Sequence, residues 1–302
     1  MPIIEVKHLH KRYGDVVAVD DASLTVEQGE ILGILGRNGA GKTTTVEIMV
    51  GLRPRDRGEV TVLGLDPARD RAELVRRIGV QLQQSELPAR MRVWEALDLY
   101  ASFYPDPADW RELLAEWGLS ARRNACFGTL SGGERQRLFI ALALVGRPEV
   151  VFLDELTTGL DPRARRTAWE LIENIRRKGV TVVLVTHFMA EAERLCDRVA
   201  VFDRGRVVAV GSPAALVARV APGQRLRFRP SAPVPERLLT GLPEVTSVTR
   251  QGGHLLVSGD ADVVQAVTAE LAKSGIRAEE LQVDRAGLDE AFAVLTGHDI
   301  DD

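Results

Sequence analysis

Ile31-Leu32-Gly33-Ile34-Leu35-Gly36-Arg37-Asn38-Gly39-Ala40-Gly41-Lys42-Thr43-Thr44 passes from an apolar run through a glycine-rich turn into helical residues that stop at Gly51 and Pro54. A continuous apolar run of this kind reads as a strand buried on both faces, and the glycine and proline as a helix stop. Strand, loop and helix make a βα unit. Its loop fits G-x-x-x-x-G-K-[ST] at Gly36, Gly41, Lys42 and Thr43. At average residue frequencies such a match arises by chance in roughly one chain of this length in a hundred. The glycines at 36, 39 and 41 let the loop backbone, from Arg37, Asn38 and Ala40 through to Thr44, close round a polyphosphate, and the helix terminus adds its dipole. Lys42 then reaches the β and γ oxygens, and the Thr43 hydroxyl ligates Mg²⁺.

Val150-Val151-Phe152-Leu153-Asp154-Glu155 is a second apolar run, ending in two carboxylates. A buried parallel strand delivers its last residues to the carboxyl edge of the sheet, beside the phosphate loop. There Asp154 holds Mg²⁺ through its water shell and Glu155 polarises the attacking water. Taken alone, the pair is equally compatible with ordinary acidic helix caps. Leu130-Ser131-Gly132-Gly133-Glu134-Arg135-Gln136-Arg137 adds a third element. Ser131 with Glu134 makes a capping box, which explains a helix start but not the two glycines. Gly132 and Gly133 suit close backbone approach to a phosphate, so the chain has a second anion-friendly helix terminus and one phosphate-loop lysine.

Outward from these motifs, residues 1 to 35 read as short strands IIEVKHLH, VVAV, ASLTV and EILGIL, an antiparallel layer feeding one buried strand. Helical periodicity marks RVWEALDLYASFY and DWRELLAEWG, with Trp94, Trp110 and Trp117 as candidate core residues of a helical insert. Parallel-sheet texture returns in VVFLD and VTVVLVT, so the first domain is α/β. Beyond about residue 216 the order is strand, helix, strand, strand, helix, strand and a last helix. That is the ferredoxin-like α+β arrangement, and no catalytic constellation falls in it.

At 302 residues the chain is long enough for two domains, and 45% apolar with 27% charged residues is ordinary globular composition. A formal charge of −4 is too balanced for a protein that coats nucleic acid by neutralising phosphates. Cys126 and Cys196 have no partner at metal-ligand spacing and read as incidental thiols of a reduced, intracellular chain. The opening residues lack the apolar core of a signal peptide, and the longest apolar run, Phe139 to Val145, is too short to span a bilayer. Any membrane span belongs to another chain.

Residues 1 to about 215 resemble the ATP-binding subunit of ABC transporters, of the bacterial drug-export and antibiotic-resistance type, with LSGGERQR as the most specific element. The resemblance implies a P-loop ABC ATPase domain over 1–215: a mostly parallel sheet, an antiparallel β layer and a helical subdomain at about 73–145. A ferredoxin-like regulatory or dimerisation domain follows over 216–302. The resemblance further implies that Tyr13 stacks on adenine, that Gln83 touches Mg²⁺ and water and relays contact with the membrane subunit, and that His187 contacts the γ-phosphate beside Glu155. Asp161, followed by Pro162, is a helix N-cap that also matches the family's dimer-contact loop. Gln81 and Gln84 stand close enough to Gln83 to compete for its role. Leu156 replaces the proline usual after the catalytic glutamate, and the turn there is expected to be looser.

The implied function is an ATPase using ATP and Mg²⁺. Two chains, identical or related, sandwich two nucleotides through Ser131, Gly132, Gly133 and Glu134 of the facing copy, at the cytoplasmic face of the membrane. The competing readings are a soluble ABC ATPase acting on DNA or ribosomes, and a resistance protein that sequesters a drug without pumping. Neither a coiled-coil insertion nor a second cassette supports the first. Glu155 and His187 together favour turnover over sequestration.

Overall fold

The computed structural model describes residues 2–82, 85–220, 223–260, 262–285 and 287–297. Backbone contacts divide the chain into two compact units, with the division between Pro213 and Ala214.

The first unit begins with strands β1 (Ile4–Tyr13), β2 (Val16–Val26) and β3 (Ile31–Gly36), helix α1 (Lys42–Met49) and strand β4 (Arg57–Val62). Then follow α2 (Arg71–Leu74), β5 (Ile78–Gln81), α3 (Val93–Ala101), α4 (Trp110–Glu116), α5 (Gly132–Leu144) and β6 (Val150–Asp154). The rest is α6 (Pro162–Arg177), β7 (Thr181–Thr186), α7 (Met189–Leu195), β8 (Arg198–Asp203), β9 (Arg206–Gly211) and the start of α8 (Pro213–Val220).

Six strands form one sheet in the order β5-β6-β7-β3-β8-β9, parallel except for the edge hairpin β8–β9. Every residue of β3, β6 and β7 is buried, as the uninterrupted apolar runs require of strands covered on both faces. Register pairs Leu35 with Thr186 and Asp154 with Val185. The phosphate loop, the two carboxylates and His187 therefore leave the sheet along one edge, where ligands of open α/β sheets bind.

A second, antiparallel sheet runs β2-β1-β4. VVAV and ASLTV, expected as separate strands, are one strand: Asp21 adopts φ 59° at a register shift, and the ladder to β1 passes over Asp20 and Asp21 between the Val19 and Ala22 pairs. The expected helical stretch 73–145 contains a strand, because β5 pairs with β6 at the sheet edge. Helical packing begins at α3. Trp117 and Trp110 are buried there, Trp94 lies 6.3 Å from the Trp110 ring, and the Trp110 Nε1–H donates to Asp98 at 3.0 Å.

In the second unit, β10 (Gln224–Pro230), α9 (Glu236–Thr240), β11 (Val245–Gln251), β12 (His254–Gly259), α10 (Val263–Lys273), β13 (Ala278–Arg285) and α11 (Leu288–Thr296) follow one another. The sheet is antiparallel throughout, in the order β11-β12-β10-β13. Leu226, Phe228, Leu255 and Val257 form its core with Leu239, Val263, Val267 and Leu271 of the helices.

Gly79 on β5 shows how closely α5 is laid against the sheet. A Cβ added there would stand 2.1 Å from the Ala143 carbonyl oxygen, a backbone atom with no rotamer to yield. Gly79→Ala is expected to destabilise the first unit by about 1–3 kcal/mol, the usual cost of overpacking, read as a lowered urea midpoint by circular dichroism. A wild-type midpoint would mean that α5 does not rest on β5 this closely.

Candidate functional site

The phosphate loop is pinned by backbone from distant strands. Gly205, in the β8–β9 turn, donates its N–H to Ala40 O at 3.0 Å and accepts from Asp20 N at 2.8 Å. Gly41 caps α1 at φ 96°, and a Cβ there would meet Ala18 O of β2 at 2.4 Å, so only glycine fits. Lys42 is buried, and its Nζ donates to Gly36 O at 2.7 Å and Arg37 O at 2.9 Å. An ammonium has three donors, so two hold the loop in shape. Burial pulls the Lys42 pKa down, and the charges of Glu155 and Asp154 oppose that. Asn38 and Gly39 are exposed at the loop tip, whereas Ala40 is buried; Thr43 is exposed and Thr44 half-buried at the helix start.

Asp154, at the end of β6, is 1% exposed. Its Oδ2 accepts from the Thr43 hydroxyl at 3.4 Å, and its Oδ1 is buried with no hydrogen-bond partner. Burial, aided by the Glu155 charge and opposed by Lys42, pushes its pKa up to about 6. A buried carboxylate oxygen without a donor, next to a threonine hydroxyl, is the oxygen pair that Mg²⁺ with its water shell fits.

Glu155 turns the chain away from the sheet at φ 49°, and its N–H donates to Val185 O at 2.9 Å. Its Oε1 lies 3.6 Å from Nδ1 of His187, the first residue beyond β7. The expected looseness at Leu156 is not found: its side chain is fully buried, and its carbonyl accepts from Gln136 Nε2 of α5. Buried apolar surface and a side-chain donor restrain the turn where a proline ring would otherwise do so. Sequence reading missed Gln136, since only the fold brings it to the Asp154–Glu155 turn. Gln83 and Gln84 lie outside the described residues. Gln81 is buried, its Nε2 donates to Leu82 O at 2.8 Å, and its Oε1 has no partner.

Ser131, Gly132, Gly133 and Asp161 meet in a second cluster. Ser131 Oγ accepts from Glu134 N at 3.3 Å while Glu134 accepts from Ser131 N at 2.8 Å, closing the capping box. The other Glu134 oxygen accepts from Arg122 Nε at 2.7 Å, and this ion pair, first among its causes, lowers the carboxyl's pKa. Asp161 caps α6, accepting from Arg163 N and Ala164 N at 2.9 Å each. Between the two helix starts lies a groove of about 320 Å³. Tyr13, at the tip of the β1–β2 hairpin, is 40% exposed, with Lys11 Nζ 5.4 Å and Arg53 Cζ 5.6 Å from its ring centroid. Tyr13 belongs to the sheet whose Ala18 lies against Gly41.

A phosphate loop, a carboxylate pair and a histidine on one sheet edge, with a signature helix nearby, define a nucleotide-hydrolysing cassette. Residues 19–158 match the ABC transporter family model. The chain belongs to the ABC transporter family as its ATP-binding, ATP-hydrolysing subunit. It is 42% identical over 225 residues to a Nod factor export ATP-binding protein I of Burkholderia lata, covering 72% of this chain and 74% of that one. It is 34% identical over 307 residues to the daunorubicin resistance ATP-binding protein DrrA2 of Streptomyces coeruleorubidus, covering 98% and 95%. Among solved structures, the ATP-binding subunit of an ABC transporter superposes with a TM-score of 0.65 at 30% identity, over 72% of this chain and 92% of that one. A bacterial ABC cassette solved as a dimer superposes with a TM-score of 0.63 at 28% identity, over 69% and 98%.

Two outcomes follow from this geometry. Glu155→Gln is expected to keep ATP binding while slowing hydrolysis about 10²–10⁴-fold, the scale of a lost general base. Hydrolysis at the wild-type rate would remove Glu155 from that role. The second concerns Asp154, which in the folded chain holds its proton up to about pH 6 against an ordinary 3.8. Between those values the folded state binds more protons than the unfolded one, so this carboxyl makes stability fall as pH rises. Asp154→Asn is therefore expected to stabilise the nucleotide-free protein by about 1–3 kcal/mol above pH 6, the gain shrinking toward pH 4. Thermal melts across that range check it; a gain independent of pH would show that Asp154 is not a costly buried charge.

Proposed function

We propose that two copies of the chain close head to tail on two ATP molecules, and that this closure powers export through a separate membrane subunit. The observation that carries the reading concerns Gly132 and Gly133. Outside their own helix, a Cβ at Gly132 would meet only Leu160 Cδ2 at 3.9 Å and one at Gly133 only Ala164 Cβ at 3.4 Å, ordinary contacts, and neither residue has a positive φ. Nothing within the chain requires glycine at either position. A ligand brought against the helix terminus from outside does, and the phosphates held by the facing copy supply it.

In the closed pair, Lys42 and the loop amides from Gly36 to Thr44 bind the phosphates and Tyr13 stacks on adenine. Thr43 and Asp154, with Gln83, would hold Mg²⁺, which would supply neutralisation of phosphate charge. Glu155 orients and polarises the attacking water, and His187 keeps water and γ-phosphate in register. Glu134 keeps the signature helix terminus in shape through its capping bond. Asp161 faces the second chain.

Among the described residues no helix is long and apolar enough to cross a membrane, and on this reading a partner subunit provides the cargo's path. We infer that the chain works at the cytoplasmic face of the membrane. The names of the Nod factor export and daunorubicin resistance relatives support export of a drug-like or other substrate. The tail from about residue 216 is a ferredoxin-like regulatory or pairing module; its strand order β11-β12-β10-β13 supports that fold.

Each site draws its phosphate loop from one chain and its signature from the other. Lys42→Ala and Ser131→Arg chains should each be inactive, and an equal mixture should recover up to about a quarter of the wild-type rate through heterodimers with one intact site. Hydrolysis by Ser131→Arg alone, or a mixture as inactive as its parts, would overturn the shared site.

A further inference from the structure

His187 sits 3.6 Å from Glu155, too far for a hydrogen bond to fix the imidazole. The ring instead packs on Phe188, with centroids 4.2 Å apart and planes 40° apart. Phe188 is also in contact with Arg165 of α6, whose guanidinium carbon lies 4.1 Å from the Phe188 centroid. Arg165 Nε is buried with no hydrogen-bond partner. A desolvated guanidinium nitrogen costs stability where an aliphatic side chain would not, so simple packing does not account for arginine here. Its cation is held over the face of the ring, as cation–π attraction prefers.

One helical turn along, a second contact joins the same two elements. Trp169 Nε1–H donates to Glu191 Oε1 at 2.8 Å, and Glu191, at the start of α7, is fully buried with its Oε2 unpartnered. Arg194 stands 5.5 Å from the Trp169 ring centroid. Residues 161, 165 and 169 are four apart and share one face of α6. That face therefore begins at the Asp161 cap and grips the His187-Phe188 segment and the following helix at two points.

We propose that Arg165 and Phe188 are positioning residues that set the His187 imidazole, and that α6 thereby ties the Asp161 turn to His187. Resting on the two-chain site proposed above, the consequence is directional. When the Asp161 turn meets the second chain, α6 shifts as a rigid element, and Phe188 carries the shift to the imidazole beside Glu155. Each site then senses whether the other is closed. A link of this kind requires a stiff helix start and contacts fixed close to it, and both contacts lie within about two turns of the Asp161 cap, with proline at the first turn of the sixteen-residue α6.

The test uses the full chain and reads kcat, KM for ATP and the Hill coefficient of hydrolysis. Arg165→Leu and Phe188→Leu should each lower kcat about tenfold, the scale of a slightly misplaced catalytic group, leave KM within about twofold and bring the Hill coefficient toward one. Arg165→Lys, which keeps the cation, should recover part of the loss. Added to His187→Ala, Arg165→Leu should cost nothing further in single-turnover hydrolysis, because residues acting through one group are not additive. A wild-type kcat, a full additional loss in the His187→Ala background, or a fall explained by the folded fraction in circular dichroism overturns the positioning role. A lowered kcat with an unchanged Hill coefficient overturns the link to Asp161. Failure of the shared site itself is read separately, by the mixture of Lys42→Ala and Ser131→Arg chains.

Discussion

Everything at this sheet edge depends on the uneven charge balance among Lys42, Asp154 and Glu155. Two carboxylates and one ammonium are gathered where parallel strands exclude water, and burial drives the lysine's pKa down and the aspartate's up. Neither group reaches the other's charge closely enough to cancel that cost. Lys42 spends donors on loop carbonyls, and Asp154 keeps one oxygen without any donor. The arrangement is thus costly by itself, and in the proposed site a polyanion against the lysine and a divalent cation against the aspartate would offset that cost. Ligand binding relieves this cost, which is how a nucleotide can couple to a change of shape rather than merely fill a cleft.

The sequence made the local parts of this balance legible. The phosphate loop, the carboxylate pair and the capping box are contiguous, and each is specified by neighbours in the chain: glycines that permit the turn, an apolar run that buries the strand, a serine three residues before a glutamate. The order of elements in the tail was legible for the same reason, since alternation and turn residues act over short range. What escaped reading is long-range. Gly205 and Ala18 touch the loop through backbone atoms, which no side-chain pattern announces. Gln136 reaches Leu156 only because α5 lies across the end of β6. The strand at 78–81 was absorbed into a helical stretch because four residues are too few to display a period, and its partner stands about seventy positions away. Pairing partners, not propensity, made it a strand.

Glycine usage separates what the fold demands from what function demands. At Gly36, Gly41 and Gly79 an added Cβ would strike the backbone of another element, at 2.5, 2.4 and 2.1 Å, so the fold alone accounts for the absence of a side chain. At Gly132 and Gly133 it would not, although glycine at a helix start weakens the helix relative to alanine. A destabilising choice with no intrachain reason points to contact with something outside the chain. The same reasoning applies to Arg165, where leucine would be the cheaper residue against Phe188. Gly132, Gly133 and Arg165, whose cost the chain does not explain, lie on α5 and α6, the two elements that border the groove beside Asp161. The parts of the motor that hold nucleotide are therefore built into the fold. On the two-chain reading proposed above, the residues that would meet or sense a second chain are laid over that fold at a cost in stability.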